Sequence, residues 1–142
     1  MQIRLATALL LCGSAAPAAQ LAVKGGWAAY QDGKVCRAVA EPVRKTTTTA
    51  RPFAALAAAP GRVPMLTFKL GRIPRDGHAT LIVGGRSYAL AVSGGFASTG
   101  DPAAIDALRG GQTMTVRSRA GFEIYVLRGA PTAIDAALSR CR

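Results

Sequence analysis

The chain has 142 residues, with 18 Lys and Arg against 7 Asp and Glu, a single His and three Cys. That length supports one domain with a short appendage, and a hydrophobic content of 50% suffices for a packed core and is too high for a disordered chain. One His and seven carboxylates leave little from which to assemble a metal or acid–base centre, so no enzyme activity, cofactor or metal is expected, while a formal charge of +11 points to anionic partners or surfaces.

The chain opens with Arg4, an apolar run Leu5–Cys12 and a small-residue stretch Gly13–Ala19. This is the order of a secretory signal peptide, with Ala16-Pro17-Ala18 as its cleavage motif, so residues 1–18 are expected to be removed and the protein to be periplasmic or secreted. Lipid anchoring through Cys12 is disfavoured because Leu11, not a small residue, precedes it. The apolar run is shorter than the roughly 20 residues that span a bilayer, and no other stretch is longer, so no transmembrane segment is expected in the mature chain. Cleavage removes only Arg4 from the charged residues.

Trp27–Tyr30 and Lys34–Ala40 read as short strands around a Gln31-Asp32-Gly33 turn. Thr46–Thr49 is either an exposed edge strand or a loop, and Phe53–Ala59, bracketed by Pro52 and Pro60-Gly61, is too short for a helix and reads as a strand. Met65–Leu70 alternates, with Leu66, Phe68 and Leu70 on one face. The clearest hairpin is His78–Val92: a two-residue Gly84-Gly85 turn places Val83 opposite Arg86, Leu81 opposite Tyr88 and Ala79 opposite Leu90. Asp101 as N-cap, Pro102 at the first helical position and Gly110-Gly111 beyond the end predict a short helix near 102–109, its buried side marked by Ile105 and Leu108. Gln112–Arg119 and Phe122–Leu127 pair around Ala120-Gly121, with Met114 and Val116 inward and Thr115, Arg117 and Arg119 outward. A final helix near 131–140 carries Ile134, Leu138 and Cys141 on one stripe. The expected fold is therefore mainly β: residues 19–142 form a single antiparallel β-sandwich domain with two small helices attached. Cys36 and Cys141, the two cysteines that survive cleavage, read as a disulfide in an oxidising compartment.

Gly26-Trp27, Lys34-Val35-Cys36 and Pro42, followed by Met114-Thr115-Val116 after Gly110-Gly111, the Gly121 turn, Tyr125-Val126-Leu127-Arg128-Gly129, the helix Ala133–Leu138 and the closing Cys141, stand in one order along the mature chain. In that order the chain resembles the invasion-associated locus B family of Gram-negative bacteria. The resemblance implies an exported β-sandwich envelope protein without catalytic residues, some of whose relatives take part in host-cell invasion. It also implies that Cys36 and Cys141 form a structural disulfide and that Trp27 and Tyr125 are core aromatics.

Three kinds of site compete. His78 beside Asp76 offers a general base, but no nucleophile is tied to it by the sequence. The glycine pairs lack the context of a phosphate loop and read as turns; Asp101, Asp106 and Asp135 read as helix-cap and helix-surface residues. The basic residues remain: Arg72, Arg75 and Arg86 fall around the hairpin, and Arg117 and Arg119 on the later strand pair, as an anion-binding set suited to envelope lipid, glycan or a host-surface component. The competing reading of these arginines is plain compositional bias. Nucleic acid is not an expected partner, because aromatics make up only 6% and do not interleave with the basic residues. A second functional reading is a small secreted inhibitor or accessory protein of an envelope enzyme, presenting the loop Arg72–Gly77.

Overall fold

The computed structural model describes residues 18–48 and 50–142. Residues 1–17 of the expected leader, including Cys12 and Ala16-Pro17, lie outside the described residues, as does Thr49. Eleven strands among the described residues form one antiparallel sheet: β1 (Ala19–Lys24), β2 (Trp27–Asp32), β3 (Val35–Ala40), β4 (Arg44–Lys45), β5 (Phe53–Ala58), β6 (Met65–Lys69), β7 (His78–Val83), β8 (Arg86–Ser93), β9 (Phe96–Thr99), β10 (Thr113–Ser118) and β11 (Gly121–Val126). Helices α1 (Pro102–Gly110) and α2 (Ala130–Arg140) complete the chain. No helix among the described residues is long and apolar enough to cross a membrane.

The strand order is β1-β2-β3-β5-β6-β9-β8-β7-β10-β11-β4. The expected β architecture is present, but its two layers are halves of one continuous sheet that curls over its own core. Phe68 on β6 and Tyr125 on β11 are far apart in the strand order, yet their ring centroids lie 5.8 Å apart. Period-2 alternation sends Ala38, Leu56, Leu66, Phe68, Leu81, Met114, Val116 and Tyr125 into one shared core. The β7–β8 hairpin has the expected register, with Gly84 and Gly85 both at positive φ. Two strands were not legible from the sequence. β1 is an exposed edge with a register shift, and the four-residue β9 joins β8 to β6. β4 is the other departure: only two residues long, it leaves β3 and pairs with β11 at the opposite end of the strand order. The polar run that follows is a loop over Thr46–Thr48 that continues along β11, through a Thr46 N–H donated to the Phe122 carbonyl at 3.0 Å.

Both helices start as the sequence dictates. Asp101 Oδ1 accepts from the Ala103 N–H at 2.9 Å, Pro102 opens α1, and Ile105 and Leu108 face inward. On α2, Ala130, Ala133, Ile134 and Ala137 are buried, and the helix packs against β1, β2, β3 and β5. Its end delivers Cys141 to Cys36 with a Cα–Cα distance of 5.6 Å, and the two are disulfide-bonded. Trp27, 1% exposed, donates its indole N–H to the Val126 carbonyl at 2.8 Å, and Tyr125 is fully buried. Where the β1–β2 turn meets the β11–α2 turn, Gly25 and Gly129 both have positive φ, and a Cβ on either would overlap backbone atoms of the other turn.

Candidate functional site

The loop between β6 and β7, residues 70–77, carries two of the five predicted arginines and is tied down at several points. The Leu70 N–H donates to the Gly95 carbonyl at 2.8 Å. The Gly71 N–H donates to Glu123 Oε1 at 2.7 Å, and Thr48 Oγ1 donates to the Gly71 carbonyl at 2.6 Å. A Cβ at position 71 would lie 2.9 Å from Thr48 Cγ2 and 3.2 Å from Glu123 Oε1, so a larger residue there would have to displace these side chains. Arg72 donates through Nε and Nη2 to the Thr47 carbonyl, at 3.1 and 2.8 Å. Asp76 Oδ1 accepts from the His78 N–H at 3.1 Å, while its Oδ2 lies 3.4 Å from Arg119 Nε. These contacts hold an exposed tip of Arg72, Ile73 and Arg75, in which Ile73 is 62% exposed.

Beside this tip lies the outer face of β10 and β11. Arg117 stands directly opposite Phe122 on β11 and Thr80 on β7, and Arg44 on β4 stands opposite Ile124. Pleat alternation places Phe122, Ile124 and Val126 on the same outer face, so an apolar strip is flanked by Arg44 and Arg117. Arg75 and Arg117 make no ion pair among the described residues.

The structure thus gathers four of the five predicted arginines, Arg72, Arg75, Arg117 and Arg119, around the 70–77 loop and the adjoining strand ends. Their commitments differ. Arg72 is bonded to a carbonyl, and Arg119 sits in the β10–β11 turn against Asp76 rather than in line with Arg117 on the strand. Arg86 stands apart: it faces Val83 at the Gly84-Gly85 end of the hairpin, where Asp106 of α1 lines the same shallow hollow. Residues 78 and 83 are separated by about 16 Å at the usual strand rise, so Arg86 lies at the far end of the sheet from Asp76 and Arg119. His78, the alternative catalytic candidate, is exposed, and the group resolved around it is the Asp76 carboxylate on its backbone.

Sequence reasoning missed Ile73, the relocation of Arg44 and Lys45 to the β11 edge, and Glu123. Glu123 is 6% exposed beneath the loop, opposite Lys45. Burial pushes its carboxyl above the ordinary Glu value, and the Gly71 N–H and Lys45 offset this only in part. A signal for Glu123 was available: it shares alternation parity with Tyr125 and Leu127, so an inward carboxylate could have been read from β11 itself. Among the described residues no cluster of His, Cys, Asp and Glu is arranged to hold a metal ion. No protein-family model, curated protein or solved structure matches the chain.

Proposed function

We propose that this is a non-enzymatic periplasmic or secreted protein, resembling the invasion-associated locus B family, that docks on an anionic envelope or host-surface component. The observation that carries the reading is the braced 70–77 loop, which presents the exposed Ile73 between Arg72 and Arg75 and lies against Arg119. An apolar side chain flanked by guanidinium groups suits a lipid headgroup layer: the arginines pair with phosphate or carboxylate while the isoleucine enters the apolar margin. The Arg44–Phe122–Arg117 face beside it extends the same chemistry. A net charge of +11, or +10 once Arg4 leaves with the expected leader, favours approach to any such surface.

Sedimentation with phosphatidylglycerol vesicles, with phosphatidylcholine vesicles and with lipopolysaccharide, each at low and high salt, tests this. Binding is expected to the anionic targets at low salt and to weaken at high salt. Each basic residue near an anionic surface contributes about 1 kcal/mol, so Arg75→Ala with Arg117→Ala should weaken binding by about thirty-fold, whereas Arg86→Ala should have a much smaller effect. Absence of binding at low salt removes the proposal.

The bracing of the loop at Gly71, Arg72 and Asp76 also favours the second reading, a secreted inhibitor or accessory protein of an envelope enzyme, because inhibitory loops gain affinity from being held in one conformation. Stoichiometric inhibition of one purified envelope enzyme, lost in Ile73→Asp, would select it.

A further inference from the structure

The outer face of β2, β3, β5 and β6 carries a second feature. Ala28 on β2, Val39 on β3, Ala55 on β5 and Thr67 on β6 lie in one cross-strand row on the face turned away from the core. Solvent-facing positions of an antiparallel sheet are ordinarily polar, yet this row is small and largely apolar. The floor of short side chains is walled at one end by Phe53 and Phe96, whose rings meet edge-on with centroids 6.5 Å apart. The result is an open groove of about 970 Å³. It shelters Ala55 to 9% exposure although that residue points outward.

Arg37 lies in the groove at the other end, opposite Tyr30 and Ala57. It makes no side-chain hydrogen bond or ion pair among the described residues. The groove's one carboxylate, Glu41, lies beyond Ala40 toward the Phe53 wall and also shares a small hollow with Lys45 and Arg51. Residues 37 and 41 are about 13 Å apart along an extended strand, so Arg37 marks one end of the groove, while Glu41 lies at the Phe53 end and Lys69 stands in register between Phe53 and Phe96 without lining the groove. Volume, a largely apolar lining and a few charges placed at its ends are the properties of a small-molecule site.

We propose that this groove binds one long-chain fatty carboxylate, its headgroup paired with Arg37 and its alkyl chain lying over Val39 and Ala55 toward Phe53 and Phe96. The occupant is chosen by charge and shape together. An unpaired guanidinium is matched by a carboxylate in a bidentate pair, and a floor of alanines leaves room for a flexible methylene chain. The site is built on β2, β3, β5 and β6 with Phe96 of β9, and none of its lining residues belongs to the 70–77 loop.

Isothermal titration of the purified protein with monomeric dodecanoate, and separately with dodecanol, tests the assignment. One-to-one binding of dodecanoate is expected, with dodecanol weaker by about ten-fold. Arg37→Gln should abolish that preference while keeping dodecanol binding unchanged. Ala55→Leu and Thr67→Leu, which fill the floor from an outward position, should each weaken both ligands at least about ten-fold, with the thermal midpoint reporting that the fold is kept. Arg75→Ala with Arg117→Ala, the pair expected to weaken vesicle docking, should leave dodecanoate binding unaltered. No binding of dodecanoate, binding indifferent to Arg37→Gln and Ala55→Leu, or a concentration-dependent dimer that Ala55→Leu dissociates would overturn the proposal.

Discussion

Glu123 and Tyr125 are neighbours of like parity on β11, and both carry polar atoms into the core for different returns. The Glu123 carboxylate holds the Gly71 N–H, so its burial secures the 70–77 loop. Tyr125 Oη has no hydrogen-bond partner among the described residues, and burial with the nearby Glu123 charge pushes its ionisation far above the ordinary tyrosine range. An unpaired buried hydroxyl is a cost, so Tyr125→Phe should stabilise the fold by about 1 kcal/mol in urea denaturation, with the ring contact to Phe68 retained. The sign for Glu123 follows from its raised value. The folded state binds the proton more tightly than the unfolded chain. The resulting contribution to stability is complete below the ordinary Glu value and is lost as pH rises through the raised one. Glu123→Gln removes that loss. The urea midpoint of the variant relative to the parent should therefore climb as pH rises above the ordinary Glu value and through the raised one; parallel pH profiles would contradict it.

Among the elements, turns and short connections fix where the functional surfaces fall. The β1–β2 and β11–α2 turns meet backbone to backbone at Gly25 and Gly129, which sets the direction in which α2 leaves the sheet. Gly129→Ala would combine a positive φ with an overlap on the Lys24 carbonyl, and should cost at least about 2 kcal/mol in thermal or chemical unfolding. An equivalent substitution at Gly33, where a Cβ meets nothing within 4 Å, should cost less. The two-residue β4 has a comparable organising role: by pairing with β11 it brings Arg44 beside Ile124 and leads the Thr46–Thr48 loop over Gly121 and Gly71. The alternation of β10 and the hairpin register of β7–β8 were legible because each is decided by local pattern and turn chemistry. β9 was not, because four residues ending in Ser98-Thr99 carry too little alternation to stand out from a loop.

Taken as a whole, the molecule is a curled sheet closed by a helix and a long-range covalent link. The Cys36–Cys141 bond spans 105 residues, and in the chain-entropy account such a loop is worth up to about 4–5 kcal/mol. Reduction, or the Cys36→Ser and Cys141→Ser pair, should lower unfolding free energy by about 2–5 kcal/mol, read as a shift of the urea midpoint; two free thiols in the native protein would contradict the link. The same curling gives the molecule two unlike outer faces, one cationic with apolar tips and one an alanine-floored groove. Salt should therefore act strongly on binding to vesicles through the first and weakly on alkyl-chain binding in the second.

The sequence by itself determined the mainly β class, the strands with clean alternation, the N-cap of α1, the extent of α2 and the cysteine pair. All of these rest on interactions within a few residues or on simple arithmetic of residue types. Tertiary structure alone decided that both layers belong to one sheet, that Arg44 and Lys45 cross to the β11 edge, that Arg86 stands apart from the other arginines, and that the outer row of Ala28, Val39 and Ala55 forms a groove. The physical reason is range: alternation and turn geometry specify which way a side chain points, whereas which strands become neighbours depends on how a curled sheet satisfies its hydrogen bonds and buries one shared core across the whole chain.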